Sequence, residues 1–319
     1  MHIDIFNGDA DGIFSLHQYR LQYPQPSAEL ITGVKRDIQL LSRVEDVEGK
    51  SLSVFDISLD SNRHPLERIL ANNNTVVYFD HHFAGEIPES PALQTYIEPS
   101  PDTCTSLIIN DKLAGRHHLW AVCGAFGDNL HQAANNLAKN AGLLVEQTGK
   151  LQELGELFNY NGYGTTISDL HFHPRKLYEA VQPYLNPFDF FENSSQLKAL
   201  RAGYSEDLGQ AMEQKPLKSG GNNRIYRFPD TPWARRVTGV FSNLRAREQM
   251  DGAHVVITEN SDSSLRISVR APLNDRRDAD MLCKLFPSGG GRAAAAGINS
   301  LPADQLELFL EKFMACYPS

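Results

Sequence analysis

The stretch Thr75-Val76-Val77-Tyr78-Phe79-Asp80-His81-His82 constrains this chain more than any other. Five consecutive β-branched and aromatic residues predict a buried strand, and that strand delivers an acid and two imidazoles at its carboxyl end. Open α/β sheets carry their chemistry at that edge. Two further segments have the same form: His2-Ile3-Asp4-Ile5-Phe6 runs into Asn7-Gly8-Asp9-Ala10-Asp11-Gly12, and Leu52-Ser53-Val54-Phe55 runs into Asp56. Laid parallel in one sheet, the three would converge oxygen and nitrogen ligands on one spot.

The segments between them fit such a sheet. Residues 11–23 place Ile13, Phe14, Leu16 and Tyr19 at roughly helical spacing and stop before Pro24. Residues 28–34 predict a second strand and 36–44 a helix. A strand over 51–57, a helix over 61–71 with Pro65 near its start, and a turn at Asn72-Asn73-Asn74 lead into the Asp80 strand. One more short strand is expected at 93–99. Strand, helix, strand at this spacing predicts a parallel sheet with crossover helices on both faces.

Helices are expected over 103–113 and 118–126. Asp128 follows the nearly unbroken apolar run Leu119 to Phe126, and two readings of it stand together: a cap for a helix starting near Asn129, or a metal ligand. Residues 130–215 read as further helices, with a turn at 159–164 and an exit from the first domain at 183–187. His171 with His173, and His117 with His118, read as surface residues before ligands. The chain thus divides into 1–190, a helical linker at 191–223, and a smaller α/β domain at 224–319.

In that last segment an edge strand is expected at 224–228, a helix over 236–249, strands over 253–258 and 265–271, and a helix over 278–286. Ser288-Gly289-Gly290-Gly291-Arg292 then reads as a loop. Three glycines let successive backbone N–H groups face one anion, and Arg292 adds a cationic fork; a tight turn before a small-residue packing surface is the ordinary alternative. No Gly-Lys-Ser/Thr follows, so this is not a Walker A loop.

Charge is divided unevenly. Residues 224–319 hold 13 Lys+Arg against 11 Asp+Glu and residues 1–223 hold 17 against 28, so nets of +2 and −11 make the overall −9. Eleven of the 13 cations in the last segment are arginines, which favours forked recognition of phosphate. The overall deficit argues against tracking long duplex nucleic acid, and not against a short oligonucleotide or a nucleotide. Cys104, Cys123, Cys283 and Cys316 lack metal-finger spacing and suit a reducing compartment. No signal-like segment opens the chain and no apolar run approaches a bilayer span, so a soluble, cytoplasmic protein is expected, without a membrane partner.

Taken together, Asp-x-Asp after the first strand, Asp56, Asp80-His81-His82, Asp128 and the terminal glycine run occur in an order that resembles the DHH phosphoesterase superfamily with its C-terminal DHHA1 domain. The resemblance spans Asn7 to Gly297 and is nearest to the oligoribonuclease and nucleotide-phosphatase branch, with RecJ-type exonucleases further off. It implies two divalent cations, Mn²⁺ with Mg²⁺ as the alternative. Asp9 would bind the first, Asp11, His81 and Asp128 the second, and Asp56 both. Asp80 would orient His81, and His82 would face the substrate phosphate. Arg270, Gly289, Gly290, Gly291 and Arg292 would grip the substrate's other end.

Oxygen-rich carboxylates with imidazoles suit such cations, and two of them roughly 3.5–4 Å apart can activate a water and clamp phosphoryl oxygens. The expected activity is hydrolysis of phosphoester bonds in short oligonucleotides or small nucleotides. Hydrolysis of polyphosphate and non-catalytic nucleotide binding are the other readings; Tyr226, Phe228 and Trp233, if free to stack on bases, would favour nucleotides. A homodimer is compatible with all three. Two positions depart from the family pattern: Asn7 stands where a His or Asp commonly binds the first metal, and Arg292 where a His commonly follows the glycines.

Overall fold

The computed structural model describes residues 1–318 and divides into two compact units, Met1–Gly203 and Tyr204–Ser319. The division falls inside the stretch 191–223, within a helix.

The first unit runs β1 (His2–Phe6), α1 (Ala10–Gln22), β2 (Glu29–Ile31), β3 (Ser51–Phe55), α2 (Arg63–Ala71), β4 (Thr75–Asp80) and β5 (Leu93–Ile97), followed by helices α3 (Thr105–Lys112), α4 (His118–Gly127), α5 (His131–Asn140), α6 (Val145–Gly162), α7 (Pro174–Val181) and α8 (Pro187–Asn193), and by the first half of α9 (Ser195–Met212), which continues into the second unit. Its five strands are all parallel in the order β2-β1-β3-β4-β5. The chain leaves β1 for β2 on one side and returns to β3 on the other. The carboxyl ends of β1 and β3 therefore flank the point where strand order reverses, and a crevice opens there.

Alternation along the strands explains both covered faces. Ile3, Ile5, Leu52, Val54, Val76 and Tyr78 pack with Leu66 and Ile69 of α2 and with Leu40 and Leu41. On the other face Tyr19 of α1 lies with its ring 5.5 Å from Phe55 and 5.2 Å from Phe79. A buried ion pair fixes α1 to β1: Arg20 Nε donates to Asp4 Oδ2 at 2.9 Å, and a second guanidinium nitrogen donates to the other oxygen and to Ser53 Oγ.

Two sequence expectations fail in this unit. Residues 36–44 form no α-helix, only a 3₁₀ turn at Leu40–Arg43. Their backbone is satisfied elsewhere: Asn62 accepts from Leu41 N and donates to Ile38 O, and Lys35 N donates to Gly162 O. Residues 159–162 are the last turn of α6 and not a loop. The asparagines that resemble turn formers serve tertiary bonds, Asn161 holding both N and O of Phe172.

The second unit contains β6 (Lys218–Gly220), β7 (Asn223–Phe228), α10 (Pro232–Glu248), β8 (His254–Glu259), β9 (Leu265–Arg270), α11 (Ala279–Lys284), β10 (Gly289–Arg292), β11 (Ala295–Leu301) and α12 (Leu306–Cys316). The sheet order is β10-β11-β9-β8-β7-β6, with β7 and β8 parallel and the remaining pairs antiparallel. Val255, Ile257, Ile267 and Val269 pack with Leu282 of α11 and with Phe309 and Phe313 of α12. β7 is not the expected edge strand, because β6 pairs outside it.

Among the described residues no helix is long and apolar enough to cross a membrane. All four cysteines are free, and three are buried.

Candidate metal centre

The parallel register brings the carboxyl ends of β1, β3 and β4 side by side, with Phe6 opposite Phe55 and Phe55 opposite Phe79. Asp56, one residue beyond β3, adopts a left-handed backbone (φ +59°) that few non-glycine residues other than Asn and Asp tolerate. Its N–H donates to Phe79 O at 2.9 Å, which holds the turn and aims the carboxylate along the sheet edge. There Asp56 Oδ1 lies 3.4 Å from His81 Nε2 and accepts from Thr105 Oγ1 at 3.3 Å. His81 Nε2 also lies 3.8 Å from Asp128 Oδ2. One ligand atom each from Asp56, His81 and His82 falls within 4.8 Å of the others.

Asp11, buried on the first turn of α1, accepts from Thr105 N at 2.8 Å and Ser106 N at 2.7 Å. It thereby satisfies the N-terminal donors of α3 across 94 residues of sequence, while each oxygen keeps a further lone pair. Asp9 caps its own helix, accepting from Gly12 N at 3.1 Å. Its other oxygen takes the Lys35 ammonium at 2.5 Å. Close approach of backbones makes this corner: a Cβ on Gly8 would stand 1.8 Å from Gly33 O.

Asp128 ends α4, and the next helix starts at His131 after Leu130, so the expectation that Asp128 caps that helix is corrected. What remains for its carboxylate is the cluster: His81 on one oxygen and Lys35 Nζ at 3.7 Å from the other. Asp80 is also placed differently from expectation. Its Oδ1 accepts from His82 Nδ1 at 2.6 Å, so it orients His82 and not His81. Residues two apart in extended chain share a side, while His81 turns toward Asp56. The bond to Asp80 leaves His82 Nε2 as the available ring nitrogen, on a side chain 43 % exposed.

The crowding of anions is visible in the protonation of each group. Burial pushes the Asp56 carboxyl well up, and the charges of Asp11 and Asp9 push it further. Burial raises Asp128 to about 6 against the opposing pull of Lys35. For His81 burial works against the imidazolium, but the hydrogen bond and charge of Asp56, with Asp11 and Asp128, outweigh it and push the imidazole up to about 10. Burial would also raise Asp9, yet Lys35 and the Gly12 N–H hold it below the usual carboxylate range. A sheet edge where buried carboxyls push one another's protonation up is suited to a cation.

Hard carboxylate oxygens with imidazole nitrogen are the donor set of Mn²⁺ or Mg²⁺, and Asp56, His81 and Asp128, with Asp11 beside them, fit one such ion. The Asp9 side is different, since its free oxygen already carries Lys35. Three residues that sequence reasoning passed over belong to the site: Lys35, Thr105 and Asn159, whose Oδ1 accepts from Lys35 Nζ at 2.9 Å. Lys35 had a usable signal, for it lies just past β2, at the same sheet edge as the acids.

In the second unit, the segment 289–292 is an edge strand paired with β11 and not a loop. Packing requires two of its three glycines: a Cβ on Gly289 would lie 1.8 Å from Cys283 O, and one on Gly291, at φ +141°, would lie 2.4 Å from Ala296 Cα, while one on Gly290 would meet open space. Register puts Arg292 opposite Ala295 and Ala295 opposite Arg270, so both arginines belong to one cross-strand row. Arg270 Nε donates to Asn243 Oδ1 at 2.7 Å. Tyr226 and Phe228 are core residues against Phe241, with ring separations of 4.9 and 5.0 Å, and are not free to stack on bases. Trp233 is partly buried beside Phe228.

The sequence matches no family model and no curated protein. Solved structures do match the fold. Exonuclease RecJ bound to manganese superposes with a TM-score of 0.65 at 13 % identity, over 99 % of this chain and 90 % of that one. The pGpG-specific phosphodiesterase PggH from Vibrio cholerae gives 0.59 at 10 % identity, over 99 % of each chain. RecJ from Thermus thermophilus in complex with Mn²⁺ gives 0.57 at 13 % identity, this chain spanning 52 % of its length. These likenesses show the fold: the chain shares the architecture of RecJ and PggH, with its Asp/His cluster at the reversal point of the parallel 2-1-3-4-5 sheet.

Proposed function

We propose that this protein is a metal-dependent phosphoesterase that hydrolyses phosphoester bonds in short oligonucleotides or small nucleotides. The observation that carries the reading is the convergence of Asp56, His81 and Asp128 at the carboxyl edge of the parallel sheet, beside the buried Asp11. When bound there, a divalent cation polarises phosphoryl oxygens and lowers the pKa of water. The chain's own residues do the rest. Thr105 fixes the Asp56 carboxylate, Asp80 holds His82 with Nε2 available to a substrate oxygen, and Lys35 supplies a fixed positive charge. The fold is shared with an exonuclease and a pGpG-specific phosphodiesterase, which favours a nucleotide chain as substrate. A net charge of −9 favours a short one.

A second reading, hydrolysis of phosphoanhydrides such as polyphosphate, is favoured by one observation: Tyr226 and Phe228 lie in the core, where they cannot hold a base. One panel separates the two. Two- to five-nucleotide RNA, a cyclic dinucleotide, a nucleoside 3′,5′-bisphosphate and short polyphosphate are incubated with Mn²⁺ and wild-type protein or Asp56→Ala. Turnover of the oligonucleotides that the substitution abolishes is the expected result. Turnover of polyphosphate alone transfers the assignment to the second reading, and nucleotide binding without any turnover overturns both.

A further inference from the structure

The Asp9 side of the cluster does not match the two-cation arrangement that the sequence pattern implies, and the mismatch is built from several residues at once. Lys35 Nζ lies 2.5 Å from Asp9 Oδ2 and 2.9 Å from Asn159 Oδ1, with Asp128 Oδ1 at 3.7 Å. The ammonium also sits 5.5 Å from the centre of the Tyr163 ring. It is an embedded charge, its side chain 22 % exposed, and its backbone is clamped from both ends: Lys35 N donates to Gly162 O at 3.0 Å, and Lys35 O accepts from Asn7 Nδ2 at 3.2 Å.

Asn7 is consequently not a weak stand-in for a metal-binding acid. Its amide oxygen accepts from Asp9 N at 3.3 Å while its amide nitrogen holds the Lys35 carbonyl, so both ends are spent on the backbones of the two residues that form the ion pair. The neutral residue at position 7 and the lysine at position 35 are therefore joined in one hydrogen-bonded feature.

We propose that the Lys35 ammonium takes the place of the first of the two cations, so that the chain holds a single divalent ion on the Asp56, His81 and Asp128 side. Charge matching supports it. On one side Asp9 meets the monovalent Lys35 cation at 2.5 Å; on the other, Asp56 and Asp128 approach His81 Nε2 at 3.4 and 3.8 Å and are left for a divalent one. A second divalent ion at Asp9, whose Oδ1 already takes the Gly12 N–H, would sit beside the ammonium held on Oδ2, and like charges at that separation repel. An ammonium cannot ionise a bound water as a metal does, but its three N–H donors are suited to a phosphoryl oxygen. Asp9 and Asn159 take two of them, and the third is left for substrate.

This inference rests on the reading of the cluster as a phosphoesterase metal centre, and its test is metal content, independent of turnover. Metal-free protein is dialysed against Mn²⁺, and the bound ion is counted by elemental mass spectrometry and examined by electron paramagnetic resonance. One Mn²⁺ per chain with the spectrum of an isolated ion is expected for wild type. Lys35→Ala combined with Asn7→Asp is expected to raise the count to two, with exchange coupling between the ions. Two coupled ions in the wild-type protein would overturn the inference while leaving the proposed function in place. A count of one in a double variant whose circular dichroism matches wild type would also overturn it. No bound Mn²⁺ in wild type would overturn both readings. Should the double variant fail to fold, the wild-type count alone decides.

Discussion

The buried pair Asp4–Arg20 carries the position of α1, and with it Asp9 and Asp11. Replacing Asp4 with Ala leaves a guanidinium that is 8 % exposed with no carboxylate to compensate it. Ser53 Oγ, Tyr23 O and His2 Nε2 remain as partners, and none is an anion at neutral pH. Breaking a buried pair from one side costs about 3–5 kcal/mol, because the remaining charge has lost its hydration and its partner. For a domain of this size that corresponds to a fall in Tm of roughly 10 °C. Replacing both residues, Asp4→Leu with Arg20→Met, removes the stranded charge and is expected to recover most of the loss. Urea unfolding followed by circular dichroism measures wild type, Asp4→Leu, Arg20→Met and the double variant as the four corners of the cycle, beside Asp4→Ala. A cost below about 1 kcal/mol for Asp4→Ala, or a double variant whose loss equals the sum of the single ones, would refute the reasoning.

Three further outcomes follow from the structure. His17 is buried against Trp120 with Nε2 2.9 Å from Tyr184 O; burial first, then the charge of His117, lowers it from 6.5 to about 4. The folded state thus prefers the neutral ring, so its contribution is intact above pH 6.5 and lost as pH falls toward 4, about 3 kcal/mol in all; His17→Gln should flatten that acid limb in urea titrations, and parallel curves would contradict it. Thr105→Val keeps volume but deletes the hydroxyl that steadies Asp56, and should weaken Mn²⁺ binding about tenfold by calorimetry while the α3 cap from Asp11 persists. Gly291→Ala forces a side chain into φ +141° against Ala296 and should destabilise the second unit by about 1–3 kcal/mol without changing Mn²⁺ affinity; an unchanged melting curve would restore the loop reading.

What the sequence made legible depended on whether the signal was local. β1, β3 and β4 are short apolar runs that end in an acid or meet one within three residues, and a parallel register converts that one-dimensional pattern into a cluster without further information. β2 has only three residues and is not fully buried, so its position at the edge beside β1 gave no comparable pattern, and Lys35, four residues past it, went unweighted. The glycine run is ambiguous in sequence because a nest for anions and a strand packed tightly on its neighbour make the same demand for a missing Cβ; the pairing with β11 accounts for Gly289 and Gly291. The asparagines of 159–162 misled for a related reason, since the side-chain bonds that favour turns can instead be spent on distant backbone or, at Asn159, on Lys35. Position 7 is the instructive case. Read alone, Asn7 is a lost ligand and an argument for inactivity. Read with Lys35, 28 residues away in sequence and bonded to it in space, it holds the backbone of the lysine whose ammonium pairs with Asp9, so the proposed single-cation centre makes Asn7 part of the site and no argument for inactivity.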